Sequence, residues 1–238
     1  MTDSVASPRQ AELAANLARV QERVVAACRA AGRDPAHVTI TVVTKTWPAT
    51  DVRILAGLGV RDVGENRDQE AAPKVAECAA WDLDLRWHFV GRLQRNKAAS
   101  VTRYADVIES VDRVPLVQAL DRGAVRHGRR ITALVQVSLD ADGHRGGAAP
   151  DDVLEVCAAV EASDQLQLAG LMAVAPLGED PAAAFARLTA VHQRVQQEFP
   201  AAQWLSAGMS GDLEQAVAAG ATHVRVGSTV LGVRHNVR

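Results

Sequence analysis

Val38-Thr39-Ile40-Thr41-Val42-Val43-Thr44-Lys45, followed at once by Thr46, Trp47 and Pro48, is the stretch on which the fold turns. The apolar, β-branched run reads as a strand, because such side chains fit a pleated surface and lose rotamer freedom in a helix. It ends in an amine. A lysine at a strand end aims that amine at whatever sits above the sheet. Withdrawn from bulk water, the amine loses part of the advantage of its charged form, and a nucleophilic fraction becomes available for Schiff-base chemistry. The segment alone also fits a solvated strand-edge lysine, so both readings stay open.

Outward from this strand, which spans 38–44, further short β-branched runs recur at 61–64, 86–90, 107–110, 131–138, 168–174, 203–206 and 223–226, separated by segments with helical spacing. Segment 51–58 carries Val52, Leu55 and Leu58 on one face; segment 115–125 carries Leu116, Ala119, Leu120 and Gly123; segment 181–199 carries Phe185, Leu188, Val191, His192 and Val195. These are the stripes of helices packed on a sheet. Strict alternation implies parallel strands with right-handed crossovers, and eight such units close most naturally into a single (β/α)8 TIM barrel. An open doubly wound sheet is the alternative, but no GxGxxG follows the first strand. An extra N-terminal helix over 9–30, with Leu13, Leu17, Val20, Val24 and Val25 on one side and Gly32 beyond its end, is expected to cover one end or flank of the barrel. No linker rich in Pro, Gly or Ser divides the chain. Residues 1–238 are therefore read as one domain, with 1–36 the N-terminal helix region and 37–238 the barrel.

Composition narrows the function classes. The 238 residues are 48% hydrophobic, enough for a large core, and the formal net charge of −2 comes from interspersed acids and bases. No basic stripe or aromatic-interleaved cationic patch of the nucleic-acid-binding kind is visible. Cys28, Cys78 and Cys157 lie far apart, without CxxC spacing, and an odd count argues against a secreted disulfide framework. They read as reduced fillers, and no metal-ligand set is assigned. The polar N-terminus lacks an apolar signal region and no stretch of 18 apolar residues occurs, so the cytoplasm is the expected compartment.

In barrels of this type chemistry sits at the C-terminal ends of the strands. The first strand ends in Lys45, the second in Gly64-Glu65-Asn66, the seventh runs into Gly208-Met209-Ser210, and the eighth into Gly227-Ser228. Ser210 precedes Gly211-Asp212-Leu213, where helical spacing begins, and reads as a helix N-cap. The further reading is that free N–H groups of that turn, with those around Gly227 and Ser228, hold a phosphate, since barrels often build such a site after strands 7 and 8. Asp212 would repel a phosphate unless its side chain turns away. Arg225, two residues before Gly227, faces the same way as that glycine: inward, beside the phosphate site, or outward toward a helix carboxylate. A strand-end amine, a phosphate cradle and a buried cation together suggest pyridoxal 5′-phosphate as cofactor.

The runs Val43-Thr44-Lys45-Thr46, Gly64-Glu65-Asn66, Trp87-His88-Phe89-Val90-Gly91-Arg92-Leu93-Gln94-Arg95-Asn96-Lys97, Gly170-Leu171-Met172, Ser206-Ala207-Gly208-Met209-Ser210-Gly211-Asp212 and Val224-Arg225-Val226-Gly227-Ser228 also resemble the pyridoxal phosphate homeostasis proteins, the YggS or proline synthetase co-transcribed family. The resemblance covers nearly the whole chain after the first helix. It implies a single-domain barrel like the N-terminal domain of alanine racemase, with Lys45 as the Schiff-base lysine and Asn66 beside the cofactor. It further implies that Ser210, Gly227 and Ser228 bind the phosphate and that Arg225 faces the pyridine nitrogen. His88 either faces the cofactor or is a satisfied interior histidine. Segment 140–147 departs from the family pattern, with Arg145 where many members have lysine.

Two functions compete. A carrier would bind, buffer and deliver pyridoxal phosphate, with apoenzymes that use the cofactor as its partners. An amino-acid racemase would need a base on each face of the substrate carbanion. Tyr104, the one tyrosine, is expected in the helix after the third strand, and the family comparison implies that racemases of this fold take their second base from a C-terminal domain. The expectation is a carrier that works as a monomer with little or no catalysis. A Schiff-base aldolase would use the same amine, but such barrels carry their lysine on a later strand and need no cradle for a cofactor phosphate.

Overall fold

Strand β1 (Thr39–Val43) lies where the β-branched run places it, and the chain then alternates strand and helix without interruption. The computed structural model describes residues 7–140 and 146–232. After helix α1 (Pro8–Ala30) and β1 come α2 (Ala49–Gly57), β2 (Asp62–Glu65), α3 (Asp68–Ala79), β3 (Arg86–Phe89), α4 (Ala98–Val101) and β4 (Val107–Val111). There follow α5 (Val114–His127), β5 (Ile131–Gln136), α6 (Val153–Glu161), β6 (Leu166–Met172), α7 (Pro181–Glu198), β7 (Trp204–Ser206), α8 (Leu213–Ala218), β8 (His223–Val226) and α9 (Ser228–Leu231). Each strand pairs in parallel with the next, and β8 pairs with β1, with Thr41 opposite Arg225, so the sheet closes into the expected barrel.

Strand ends differ from the sequence reading by a residue or two. β5 stops at Gln136 and Val137 makes only an isolated bridge to Ala148, while β6 begins earlier, at Leu166. A bulge interrupts the β5–β6 register between Ala133 and Leu134. Next to it, Gly170 lets β7 come close: a Cβ there would lie 1.8 Å from the Trp204 carbonyl oxygen. Helix α9 follows Gly227 directly and was not anticipated.

Helix α1 starts as its sequence dictates, with the Ser7 hydroxyl accepting from the Gln10 N–H and Pro8 in the first turn. Its buried face of Leu13, Leu17, Val20 and Val24 packs on α8 and α9, covering the flank where β8 meets β1. Arg9 reaches Asp51 at 2.6 Å and Arg23 reaches Glu214 at 2.8 Å. The apolar core forms two belts between sheet and helices, while Val107, Leu134, Ala169 and Met172 fill part of the barrel interior. Among the described residues no helix is long and apolar enough to cross a membrane.

Candidate functional site

The turns leaving the C-terminal ends of the strands enclose a cleft of about 640 Å³, and Lys45, Asn66, Ser210, Arg225, Gly227 and Ser228 all line it. Val43, Val90, Met172 and Val174 give it an apolar wall. A neighbouring cavity of about 510 Å³ shares Asn66 and is lined by Arg67, Arg92, Lys97 and Arg113; the latter part of the run from Trp87 to Lys97 lies here.

Lys45 sits in the turn directly after β1, exposed at the mouth of the cleft, and its amine makes no hydrogen bond or ion pair among the described residues. The withdrawal from water expected of an amine at a strand end is not found, since Lys45 is exposed. The turn itself is held firmly. Thr46 adopts φ +66°, an uncommon conformation for a β-branched residue, and its N–H donates to Glu70 Oε2 at 3.2 Å. Beneath it the Thr44 hydroxyl donates to Glu65 Oε1 at 2.6 Å, and Lys74 Nζ donates to the same oxygen at 2.5 Å and to the Thr44 carbonyl at 2.7 Å. Lys74 is therefore a buried, committed cation, unlike Lys45.

Opposite Lys45, the loop from Met209 to Asp212 and the start of α9 converge. Ser210 is not a helix cap: α8 begins at Leu213 with Asp212 at its N-cap position, and the Ser210 hydroxyl lies 3.1 Å from Thr229 Oγ1. The sequence reading placed the helix start too early because Gly211 and Asp212 form a turn of their own. Asp212 Oδ1 accepts from the Met209 N–H at 2.5 Å, so that carboxylate oxygen is bound within the loop. Arg23 of α1 donates to the Ser210 carbonyl at 3.1 Å and backs the loop from behind. The backbone N–H groups of Ser210, Gly211 and Ser228 donate to no acceptor among the described residues. Unpartnered N–H groups on one wall, with the Ser210 and Ser228 hydroxyls beside them, form a donor set suited to a tetrahedral anion.

Asn66 follows β2, and the bare Gly91 lets it pack close: a Cβ at Gly91 would lie 2.1 Å from the Asn66 carbonyl oxygen. The side-chain amide oxygen of Asn66 is buried without a partner. Arg225 points inward. Its guanidinium donates to Ser206 Oγ at 2.6 Å and to the Ala173 carbonyl at 2.8 Å, and stands 3.7 Å from Glu109 Oε2.

His88 is an interior histidine and does not line the cleft. Its Nδ1 lies 2.6 Å from Glu109 Oε1 and its Nε2 lies 2.9 Å from Asp62 Oδ1. Burial works against its charged form, but the two carboxylates outweigh burial and raise its pKa. Burial likewise pushes the Glu109 carboxyl up, and the hydrogen bond and charge of His88, with Arg225 and Ser206, overcome this and bring it to about 2. His223 shows the opposite balance, with burial pulling its pKa down to about 4. Tyr104 lies in the turn after the four-residue α4 rather than in a helix, and its hydroxyl donates to Asp68 at 3.4 Å, outside the cleft lining. Arg145 lies outside the described residues.

Sequence reasoning gave Glu109, Asp62 and Ser206 no role. The available signal was a carboxylate in mid-strand, in Val107-Ile108-Glu109-Ser110-Val111, where alternation sets Glu109 on the face of Val107.

Residues 9–235 match the family described as alanine racemase, N-terminal domain. The chain is 49% identical to the pyridoxal phosphate homeostasis protein of Mycobacterium bovis, covering 95% of this chain and 94% of that one. Against the pyridoxal phosphate homeostasis protein of Pseudomonas aeruginosa the identity is 40%, over 93% of this chain and 96% of the relative. Among solved structures it resembles PipY of Synechococcus elongatus PCC7942 with pyridoxal phosphate bound, at a TM-score of 0.81 and 36% identity, covering 92% of this chain and 100% of that one. The resemblance read from the six sequence runs thus holds along the chain, which belongs to the pyridoxal phosphate homeostasis proteins and to the wider family built on the alanine racemase N-terminal domain.

Proposed function

We propose that this protein binds pyridoxal 5′-phosphate as a Schiff base on Lys45 and acts in cofactor homeostasis, holding and delivering the cofactor with little or no catalysis of its own. The observation that carries this reading is the convergence, in one cleft, of an unpaired lysine amine, an unpartnered donor wall and a buried guanidinium from opposite ends of the sequence. The site passes a test of fit. The Asn66 amide oxygen is orphaned in the cleft wall, and the N–H groups of Ser210, Gly211 and Ser228 await an acceptor. In this reading Ser210, Gly227 and Ser228 hold the phosphate, Asn66 flanks the ring, and Arg225 faces the pyridine nitrogen. The bound cofactor supplies an electrophilic carbon for the lysine and an electron-withdrawing ring.

The cleft favours a carrier over a racemase. Among the described residues that line it, Lys45 and Arg225 are the sole charged side chains, and an arginine stays protonated. Tyr104 is bound to Asp68, and burial followed by that carboxylate raises its pKa. General acid–base catalysis typically contributes 10²–10⁴-fold, and here one face of a carbanion would lack a positioned donor. Natural recipients would be apoenzymes that use the cofactor. We take the working unit as a monomer, because Lys45, the donor wall and Arg225 come from one chain. We assign it to the cytoplasm, where the free, buried Cys28, Cys78 and Cys157 would stay reduced.

The test is borohydride reduction of the cofactor-loaded protein followed by peptide mass spectrometry. The adduct is expected on a peptide containing Lys45. An adduct mainly on Lys74 or Lys97 would overturn the assignment, and Lys74 is a strict control because it is held by Glu65 and the Thr44 carbonyl.

A further inference from the structure

Beneath the cleft, side chains from β2, β3, β4, β7 and β8 form one buried ladder through the barrel: Asp62, His88, Glu109, Ser206 and Arg225. The direction of its hydrogen bonds follows from donor inventory. A guanidinium can only donate, so Ser206 Oγ accepts from Arg225 at 2.6 Å and directs its own proton to Glu109 Oε2 at 2.5 Å. Glu109 must then be an ionised acceptor at that oxygen. Its other oxygen receives His88 Nδ1 at 2.6 Å while His88 Nε2 meets Asp62 at 2.9 Å, so the ring stands between two carboxylates with both nitrogens donating. The charges alternate from Asp62 to Arg225 and cancel. The glutamate is 1% exposed and the arginine 5%, so solvent does little to screen them.

We propose that Glu109 is a positioning residue for the cofactor site: through Ser206 it fixes the Arg225 guanidinium at the cleft floor and offsets its charge, with His88 holding Glu109 in turn. The inference rests on the reading that this cleft takes pyridoxal phosphate. Its content is that the field felt by the bound cofactor is set from β4 and β3, by residues that do not line the cleft. Arg225 reaches the cleft and also donates to the Ala173 carbonyl, so Glu109 and Ser206 fix the remaining freedom of its fork. Other titratable groups face the ladder. Arg86 meets Asp62 at 3.0 Å at the lower end, His223 lies with its ring centre 6.3 Å from that of His88, and Asp212 adds to the field at Arg225.

The experiment compares wild type, Glu109→Gln, Glu109→Asp and Ser206→Ala, each loaded with pyridoxal phosphate. It reads the absorbance of the lysine Schiff base across pH, the cofactor dissociation constant and the borohydride adduct on Lys45. Glu109→Gln removes a negative charge close to Arg225, which disfavours a proton on the imine. Its absorbance midpoint should move to lower pH by on the order of one unit, the low end for a nearby buried charge, with the adduct still on Lys45. Glu109→Asp should restore the midpoint in part, and Ser206→Ala should shift it in the same direction by less. If Glu109→Gln folds, loads and titrates like wild type, the inference is overturned. Should Glu109→Gln fail to fold, Ser206→Ala decides, and an unchanged midpoint and dissociation constant there overturn it equally. A wild-type protein that forms no adduct on Lys45 sinks the parent reading and this one with it, whereas a loaded wild type with indifferent variants sinks this one alone.

Discussion

Inside the barrel Glu109 uses both carboxylate oxygens and His88 both ring nitrogens, whereas one layer higher Lys45 pairs with nothing and the N–H groups of Ser210, Gly211 and Ser228 find no acceptor among the described residues. The two layers are neighbours, joined by Arg225, so chain location does not explain the difference. Solvent does. An unpaired charge in the dry interior costs several kcal/mol, so the charged groups of the lower layer must be matched for the chain to fold. The upper layer opens to water, which tolerates unmatched donors until a ligand replaces it. Matched charge marks the ladder, but a missing partner does not by itself mark a ligand site, since Thr41 Oγ1, Glu65 Oε2 and Ser110 Oγ are also buried without a partner and lie outside the cleft lining.

The strongest way to break this contrast is to truncate one residue in each layer. Glu109→Ala leaves His88 and Arg225 as buried cations without their shared partner, and breaking a buried pair in this way costs about 3–5 kcal/mol. For a chain of this size that lowers the melting temperature by roughly 10 °C. Lys45→Ala removes an exposed side chain and should change cofactor-free stability by no more than about 0.5 kcal/mol. Calorimetry of both variants without cofactor checks the pair; comparable losses would mean that Lys45 is also structural.

The same contrast sharpens when the upper layer is filled. Pyridoxal phosphate at a thousandfold excess over its dissociation constant should stabilise the native state by about 4 kcal/mol, again on the order of 10 °C. Ser210→Ala should shrink that gain much more than it lowers the cofactor-free melting point. Equal losses with and without cofactor would make the Ser210–Thr229 contact structural and remove the main support for a phosphate wall.

How much of this could be read beforehand depends on whether a feature is local. The β-branched run before Lys45 and the stripes of 51–58 and 181–199 are local, and they located the strands and closed the barrel. The cleft residues were legible because strand ends converge in any such barrel, so Lys45, Ser210, Gly227 and Ser228 could be brought together without coordinates, whereas alternation left Arg225 inward or outward and the family resemblance alone set it toward the cleft. The ladder was illegible for the complementary reason. Asp62, His88 and Glu109 are single polar residues in separate strands, and their contact depends on register: Gly64 lies opposite His88, and His88 opposite Val107. The error at Ser210 has the same origin, since a turn at Gly211 and Asp212 cannot be told from a first helical turn by spacing alone.

Acid should separate the layers with a smaller effect. Glu109 has a folded-state pKa of about 2 against an ordinary 4.5, so its contribution is present above 4.5 and is lost as pH falls through that interval. For one carboxyl this amounts to about 3 kcal/mol. His88 works in the opposite sense: its raised pKa gives stability that is full below 6.5 and declines as pH rises through the folded value. Denaturation of wild type and Glu109→Gln from pH 6 down to 2 should show a steeper acid loss in wild type. Parallel curves would mean that Glu109 is not ionised in the folded protein.

The smallest expected effect tests whether the upper layer stores strain as well as unmatched donors. Thr46 holds φ +66° directly after Lys45, and a left-handed conformation costs a residue with a Cβ about 1–2 kcal/mol. Thr46→Gly relieves that cost but adds chain entropy to the unfolded state, worth roughly 0.5–1 kcal/mol against folding. The net gain should be about 0.5 kcal/mol, a rise of one or two degrees in the cofactor-free melting point. Cofactor binding should weaken at the same time, because the Thr46 N–H to Glu70 bond and the Lys74–Thr44 anchor fix a turn that glycine leaves freer to move. A calorimetric scan and a cofactor titration on the same preparation check both signs. If Thr46→Gly destabilises the cofactor-free protein, the turn is relaxed as it stands. If it stabilises without weakening binding, the turn's geometry is incidental to the site.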